Sequence, residues 1–229
     1  MDITRLKAKW EYLANDDPLW AILSDGSRKG NKWNSDEFFE IGRRDTDGFI
    51  GLARHFLPEL NFGCGLDFGC GIGRLTQAHA KYFKEMTGVD ISEKMISLAR
   101  GYNQFGNRVK YIVNPNPNLL IFDSNSFDYI VCHIVLQHVP PAIHRVYVRE
   151  FVRILRKGGA CIFQLPEPFD EDWGSDVLTE ENKGRLDMYG STREEVSKIL
   201  TDAGARILEV ADDGSCGPNH VSNRYLFTK

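Results

Sequence analysis

Three glycines at alternate positions in "GLDFGCGIGRL", Gly69, Gly71 and Gly73, follow directly on a short apolar run. No other stretch of the chain restricts its fold so tightly. Glycine reaches φ > 0 and carries no Cβ, so the backbone can turn sharply and another group can lie against it. "CGLDF" before the loop reads as a strand, and "TQAHAKYF" after it as a helix. A helix start offers unpaired N–H groups, so strand, bare loop and helix together predict a nucleotide-like ligand. A plain tight turn is the alternative for a glycine loop taken alone. The dinucleotide fingerprint places its third glycine three residues after the second, at position 74. Arg74 stands there, which disfavours nicotinamide and flavin dinucleotides.

"MTGVDISEKMISLAR" predicts a second strand ending at Asp90 and a helix capped by Ser92. An acid at the end of the second strand of such a unit is placed to accept hydrogen bonds from both ribose hydroxyls. A turn-capping role for Asp90 is the alternative. "VKYIV" predicts a third strand, and "FDYIVCH" a fourth, apolar enough to be buried on both faces. "PAIHRVYVREFVRILRKGG" reads as an amphipathic helix with Pro141 near its start. "ACIFQL" is a fifth strand. "STREEVSKILTDAG" opens with a capping-box pattern, Ser191 and Glu194. "ARILEVAD" and "NRYLFTK" complete the strands. Strands alternating with helices predict an α/β fold with a mainly parallel sheet.

The chain has 229 residues, a formal net charge of −4 and 42% hydrophobic residues, as expected of one globular domain. That charge gives no pull toward nucleic acid or an anionic membrane. No apolar run approaches the roughly 20 residues that span a bilayer, and "MDITRLKAKW" lacks the apolar core of a signal peptide. The cysteines are odd in number and widely spaced, so neither zinc nor any other metal is expected, and a reducing cytoplasm fits.

"LDFGCGIGRLT", "GVDISEKMISLAR", "FDYIVCHIVLQHV" and "RILRKGGACIFQLP" resemble, in order and spacing, the successive motifs of class I S-adenosylmethionine-dependent methyltransferases. The resemblance covers residues 62–165. It implies a Rossmann-like, mainly parallel seven-stranded sheet with helices on both faces, the last strand antiparallel, and S-adenosylmethionine as methyl donor. Carried over by residue, Asp67 matches the acid that organises the loop and the cofactor's ammonium end. Gly69, Gly71 and Gly73 match the glycine loop. Arg74 is a candidate for the cofactor carboxylate, with an exposed arginine at a helix start as the alternative. Asp90 matches the ribose acid, and Ile91 and Met95 would pack around adenine and ribose. The family often has Asp-Ala before a Leu-Pro-Phe-like segment. This chain has "NPNPNLLIF" there, which puts Asn116 and Pro117 at the adenine position.

Around the 62–165 core, residues 1–60 are expected to form an aromatic-rich helical lid, with the Phe39–Arg43 stretch nearest the cofactor. Residues 166–190 form an insertion on the substrate side, and residues 191–229 a C-terminal helix and strands. The insertion carries an excess of acids over bases, which would repel a phosphate backbone. Methyl transfer to a hydroxyl or an ammonium needs a base, and a neutral imidazole can take the proton. His138 is the favoured acceptor-facing candidate and His133 the second. Gln137, Gln164, Tyr189, Asn219 and His220 are candidate polar contacts to the acceptor. The acceptor is read as a small molecule, most simply a sugar or natural-product hydroxyl. A small-molecule amine is the alternative, as is a regulatory or scaffold protein that binds cofactor without turnover. Oligomeric state stays open.

Overall fold

The strand predicted from "FDYIVCH" forms β4 (Phe127–Cys132), and it shows why the sheet is layered. Every residue of β4 is buried. Ile130 and Cys132 join one hydrophobic cluster, while Tyr129 and Val131 join another. The period of two sends alternate side chains to opposite faces, so helices must cover both. The structure is a computed structural model that describes residues 2–169, 179, 181–217 and 219–229. The middle of the insertion, 170–178 with 180, therefore lies outside the described residues.

Seven strands form one sheet in the order β3-β2-β1-β4-β5-β7-β6. They are β1 (Cys64–Phe68), β2 (Glu85–Asp90), β3 (Val109–Val113), β4, β5 (Leu155–Pro166), β6 (Arg206–Asp212) and β7 (Ser222–Thr228). The first five pair in parallel. The last strand, β7, runs antiparallel between β5 and β6, as the resemblance implies. The helices are α1 (Ile3–Asp16), α2 (Pro18–Ile22), α3 (Ser35–Phe56), α4 (Arg74–His79), α5 (Glu93–Tyr102), α6 (Pro141–Ile154) and α7 (Arg193–Asp202).

Residues of α6 and α7 such as Phe151 and Leu200 pack with Leu66, Phe68 and Ile130 on one face. On the other face Ile50 of α3, Leu75 of α4 and Ile96 of α5 pack with Met86, Tyr129 and Val131. Local signals set the helix ends. The Ser92 side chain accepts from the Met95 N–H at the start of α5, and Pro141 opens α6. The capping box is corrected. Thr192 caps α7, accepting from the Glu195 N–H, because the Ser191 hydroxyl is taken by His144 Nε2 at 2.9 Å.

Candidate functional site

The strand order reverses between β1 and β4, and open α/β sheets bind ligands at such a point, outside the carboxyl ends of the strands. A cavity lies there. Gly69, Gly71, Val89, Asp90, Ile91, Met95 and Asn114 line it from the β1–β3 side, and His133, Ile134 and Val135 from the end of β4. Leu6 and Trp10 of α1 and Ala21 and Ile22 of α2 cover it.

Asp90 is pinned at its rim. One carboxylate oxygen accepts from the Gly71 N–H at 2.9 Å and the other from the Ser92 N–H at 2.9 Å. A carboxylate offers about four lone-pair sites, so two more donors from a ligand can be accepted. Burial pushes the Asp90 carboxyl up to about 6, against the opposing pull of those backbone donors.

The glycine loop has φ of 73°, 52° and 86° at Gly69, Gly71 and Gly73. A Cβ at Gly71 would come 2.5 Å from the Ile22 side chain, and one at Gly69 2.5 Å from Val135. Ile22 of α2 and Val135 after β4 thus approach this backbone, and both glycines also face the cavity. Gly73 does not line it. Its left-handed conformation starts α4, and a Cβ there would meet the Tyr111 hydroxyl.

Two carried-over residues stand behind the loop. Asp67 is buried, accepts from the Thr76 hydroxyl at 2.6 Å, and is pushed up to about 6 by burial. It ties β1 to α4 and does not line the cavity. Arg74 is also buried rather than exposed. Its guanidinium pairs with Asp45 of α3, and it lines a neighbouring cleft with Phe39 and Arg43. This corrects two expectations. Arg74 is committed to Asp45 instead of the cavity, and the Phe39–Arg43 stretch lies outside the wall that α1 and α2 supply.

Of the two histidines, His133 lines the cavity and His138 does not. His138 is buried in a 3-10 turn, with Nδ1 2.7 Å from the Asp187 carbonyl and Nε2 3.1 Å from the Gln137 amide nitrogen. Nδ1–H donates and Nε2 accepts, so neither nitrogen is left for an acceptor. Burial lowers its pKa to about 4. His133 instead faces the cavity. Its ring meets Phe49 of α3 edge-on at 5.2 Å. Among the described residues neither of its ring nitrogens has a hydrogen-bond partner. Burial first, then the Arg74 charge, lowers its pKa to about 4. The next residue, Ile134, has φ 53°. A β-branched residue there costs roughly 1–3 kcal/mol, strain that turns the chain just where His133 meets the cavity.

The acceptor candidates divide similarly. Gln164 donates to Gln137 at 2.9 Å and to Ser222 at 2.8 Å, forming a buried network that does not line the cavity. The Tyr189 N–H donates to the Gln137 carbonyl at 2.6 Å. Asn219 and His220 are exposed, and His220 packs on Phe169 at 4.7 Å. None of these five lines the cavity. In the adenine segment Asn116 and Pro117 are exposed, and Asn114 lines the cavity instead. The Asn114 side chain donates to the Asn118 carbonyl and accepts from Asn116, so the turn folds back and the buried residue comes two positions earlier. Trp10 belongs to the aromatic residues expected to form the N-terminal lid, whereas Leu6, Ala21, Ile22, Val135, Val139 and Tyr147 also line the cavity without having been singled out by sequence. The apolar spacing of Leu6, Trp10 and Leu13 was the available signal for α1.

Among the described residues no group of three or more His, Cys, Asp or Glu side chains could hold a metal ion. No described helix is long and apolar enough to cross a membrane.

A family model described as a methyltransferase domain matches residues 66–163. A ubiquinone biosynthesis O-methyltransferase of Bordetella avium is 32% identical over 99 residues, covering 43% of this chain and 40% of that protein. Another of that name, from Idiomarina loihiensis, is 29% identical over 151 residues, covering 66% of this chain and 61% of that protein. The chain therefore matches less than two thirds of the length of these curated relatives. A solved SAM-dependent methyltransferase from Leishmania major superposes with a TM-score of 0.70 at 15% identity, covering 99% of this chain and 82% of that one.

Proposed function

Taking as premise that this chain belongs to the class I S-adenosylmethionine-dependent methyltransferases, we propose that it binds S-adenosylmethionine in the cavity at the β1–β4 reversal and methylates a small-molecule hydroxyl. The observation that carries this reading is that Asp90 and His133 line the same cavity, one from the β1–β3 side and the other from the end of β4. Asp90 has acceptor capacity left for ribose hydroxyls, and His133 brings an imidazole with no hydrogen-bond partner among the described residues. The cavity also fits the cofactor by its apolar residues, Val89, Ile91 and Met95, and by the bare Gly69–Gly71 backbone.

When bound, the cofactor supplies a methyl group activated on a sulfonium. The chain has two tasks. The first is positioning: holding nucleophile and methyl in line supplies most of the rate increase. The second is proton removal: His133 accepts the hydroxyl proton as the new C–O bond forms, leaving a methyl ether, the thioether product and an imidazolium. An oxygen acceptor is supported by the curated relatives, which are O-methyltransferases. A sugar or natural-product hydroxyl is the finer proposal. Release of S-adenosylhomocysteine in the presence of hydroxyl-bearing metabolite pools tests it. No release with any pool, despite cofactor binding, would leave the protein a binder without turnover.

Cofactor affinity should depend on pH through Asp90. Its folded pKa is raised to about 6, so the free protein takes up a proton there as pH falls. Ribose hydroxyls donate more strongly to the ionised carboxylate than to the neutral acid, so binding favours the charged form and releases that proton. Affinity should be constant above about pH 7 and fall by up to tenfold per unit below about 6. Calorimetry of S-adenosylhomocysteine binding in two buffers of different ionisation enthalpy checks both the slope and the proton release. A flat profile from pH 5 to 8 would remove Asp90 from the contact.

A further inference from the structure

Trp10 is shared by two cavities. One is the cofactor cavity, and the other is a small space bounded by Lys9, Leu13, His138 and Asp187. On the reading that the larger cavity holds the adenosyl cofactor, we propose that Lys9, His138 and Asp187 are positioning residues that hold Trp10 over it. Residues 181–190, which carry Asp187, would thereby set how tightly the cofactor is retained.

The contacts behind the indole are continuous. Lys9 Nζ lies 2.6 Å from Asp187 Oδ2, with the two side chains only 4% and 2% exposed. The main-chain carbonyl of the same Asp187 accepts from His138 at 2.7 Å. The His138 ring meets Trp10 edge-on at 5.6 Å. One turn further along α1, Lys183 of the same segment sits over the Tyr12 ring at 4.7 Å. The opposite side of α1 is held differently. Glu11 accepts from the Glu93 and Lys94 N–H groups at the start of α5, and Lys7 pairs with Glu93, all exposed. Exposed pairs of this kind contribute little.

The buried pair acts through selectivity. Compared with an apolar pair of the same volume it stabilises little, but either charge left alone in the interior is strongly unfavourable. Only the docking of α1 that brings Lys9 onto Asp187 avoids that state. That docking sets Trp10 between His138 and the cavity, and leads through α2 to Ile22 on the glycine loop. His138 thus acts on the reaction through the lid, without touching the reacting atoms.

The test compares the full-length wild type with Lys9→Met, Asp187→Leu and the double variant. S-adenosylhomocysteine binding is the first readout, and hydrogen exchange of residues 3–16 without ligand is the second. Each single variant should weaken binding at least tenfold and speed exchange in α1. The double variant should return both to within about threefold of wild type, because two apolar side chains restore the contact without a lone charge. A third, milder variant, His138→Phe, keeps a ring against Trp10 and drops both nitrogen contacts. It should raise the KM for cofactor three- to tenfold with kcat and its pH profile unchanged, and it covers the case in which a single-charge variant does not fold. Single variants that bind like wild type, or that show wild-type exchange in α1, would overturn the proposal. So would a His138→Phe protein that loses kcat a hundredfold together with a step in the pH profile. Wild type that binds no S-adenosylhomocysteine would overturn the functional reading alone, and the ligand-free exchange would still report on the latch.

Discussion

Replacing His133 by alanine is expected to lower kcat at saturating cofactor by about 10²–10⁴-fold, the range for loss of a positioned general base. His133 is the cavity-facing imidazole with no hydrogen-bond partner among the described residues, whereas both nitrogens of His138 are occupied. The pH dependence separates base from packing. Burial lowers the His133 pKa to about 4. A lowered imidazole pKa means that the proton-free form is present at all pH values above it. Turnover should therefore be flat through neutrality and fall only as pH drops toward about 4, rather than rise through the ordinary imidazole range. The residual activity of His133→Ala should lack that acidic limb. Cofactor affinity should change little, since Asp90 and the glycine loop remain. A His133→Ala enzyme with wild-type kcat would end the assignment and leave transfer to proximity alone.

Replacing Asp90 by alanine should weaken S-adenosylhomocysteine binding roughly tenfold to a hundredfold or more. Hydrogen bonds to a charged group contribute about 1.5–3 kcal/mol, and a tenfold change in affinity is about 1.4 kcal/mol. Two effects combine. The ribose acceptor is lost, and the Gly71 and Ser92 N–H groups lose the oxygens they donate to, which loosens the loop that forms the cavity wall. Asp90→Asn separates them, because one amide oxygen remains while the NH₂ group faces a backbone donor. Its affinity should lie between wild type and Asp90→Ala. NADH should not compete, since Arg74 occupies the position of the third dinucleotide glycine. Calorimetry with a thermal melt as folding control decides the matter, and unchanged affinity in a folded Asp90→Ala protein would exclude the contact.

Local spacing was enough for the scaffold. The alternation in β4, the Ser92 cap, Pro141 at the start of α6, the positive-φ glycines and the acid ending β2 all depend on neighbours within a few residues, whose backbone geometry is short-range. The same reach explains the errors. Thr192 rather than Ser191 caps α7 because His144, far along the chain, takes the Ser191 hydroxyl. Asn114 rather than Asn116 reaches the cavity because a turn folds back on itself. His133 and His138 stand five residues apart on one motif, and nothing local tells them apart. Asp187 and Trp10, from the two segments outside the motif core, draw His138 into the interior and leave His133 facing the cavity. Sequence alone therefore determined the α/β scaffold, its glycine loop and the acid beside it. Tertiary structure decided which side chains face the cavity and which helices close it, because a side chain's direction is set by packing against residues that only the folded chain brings near.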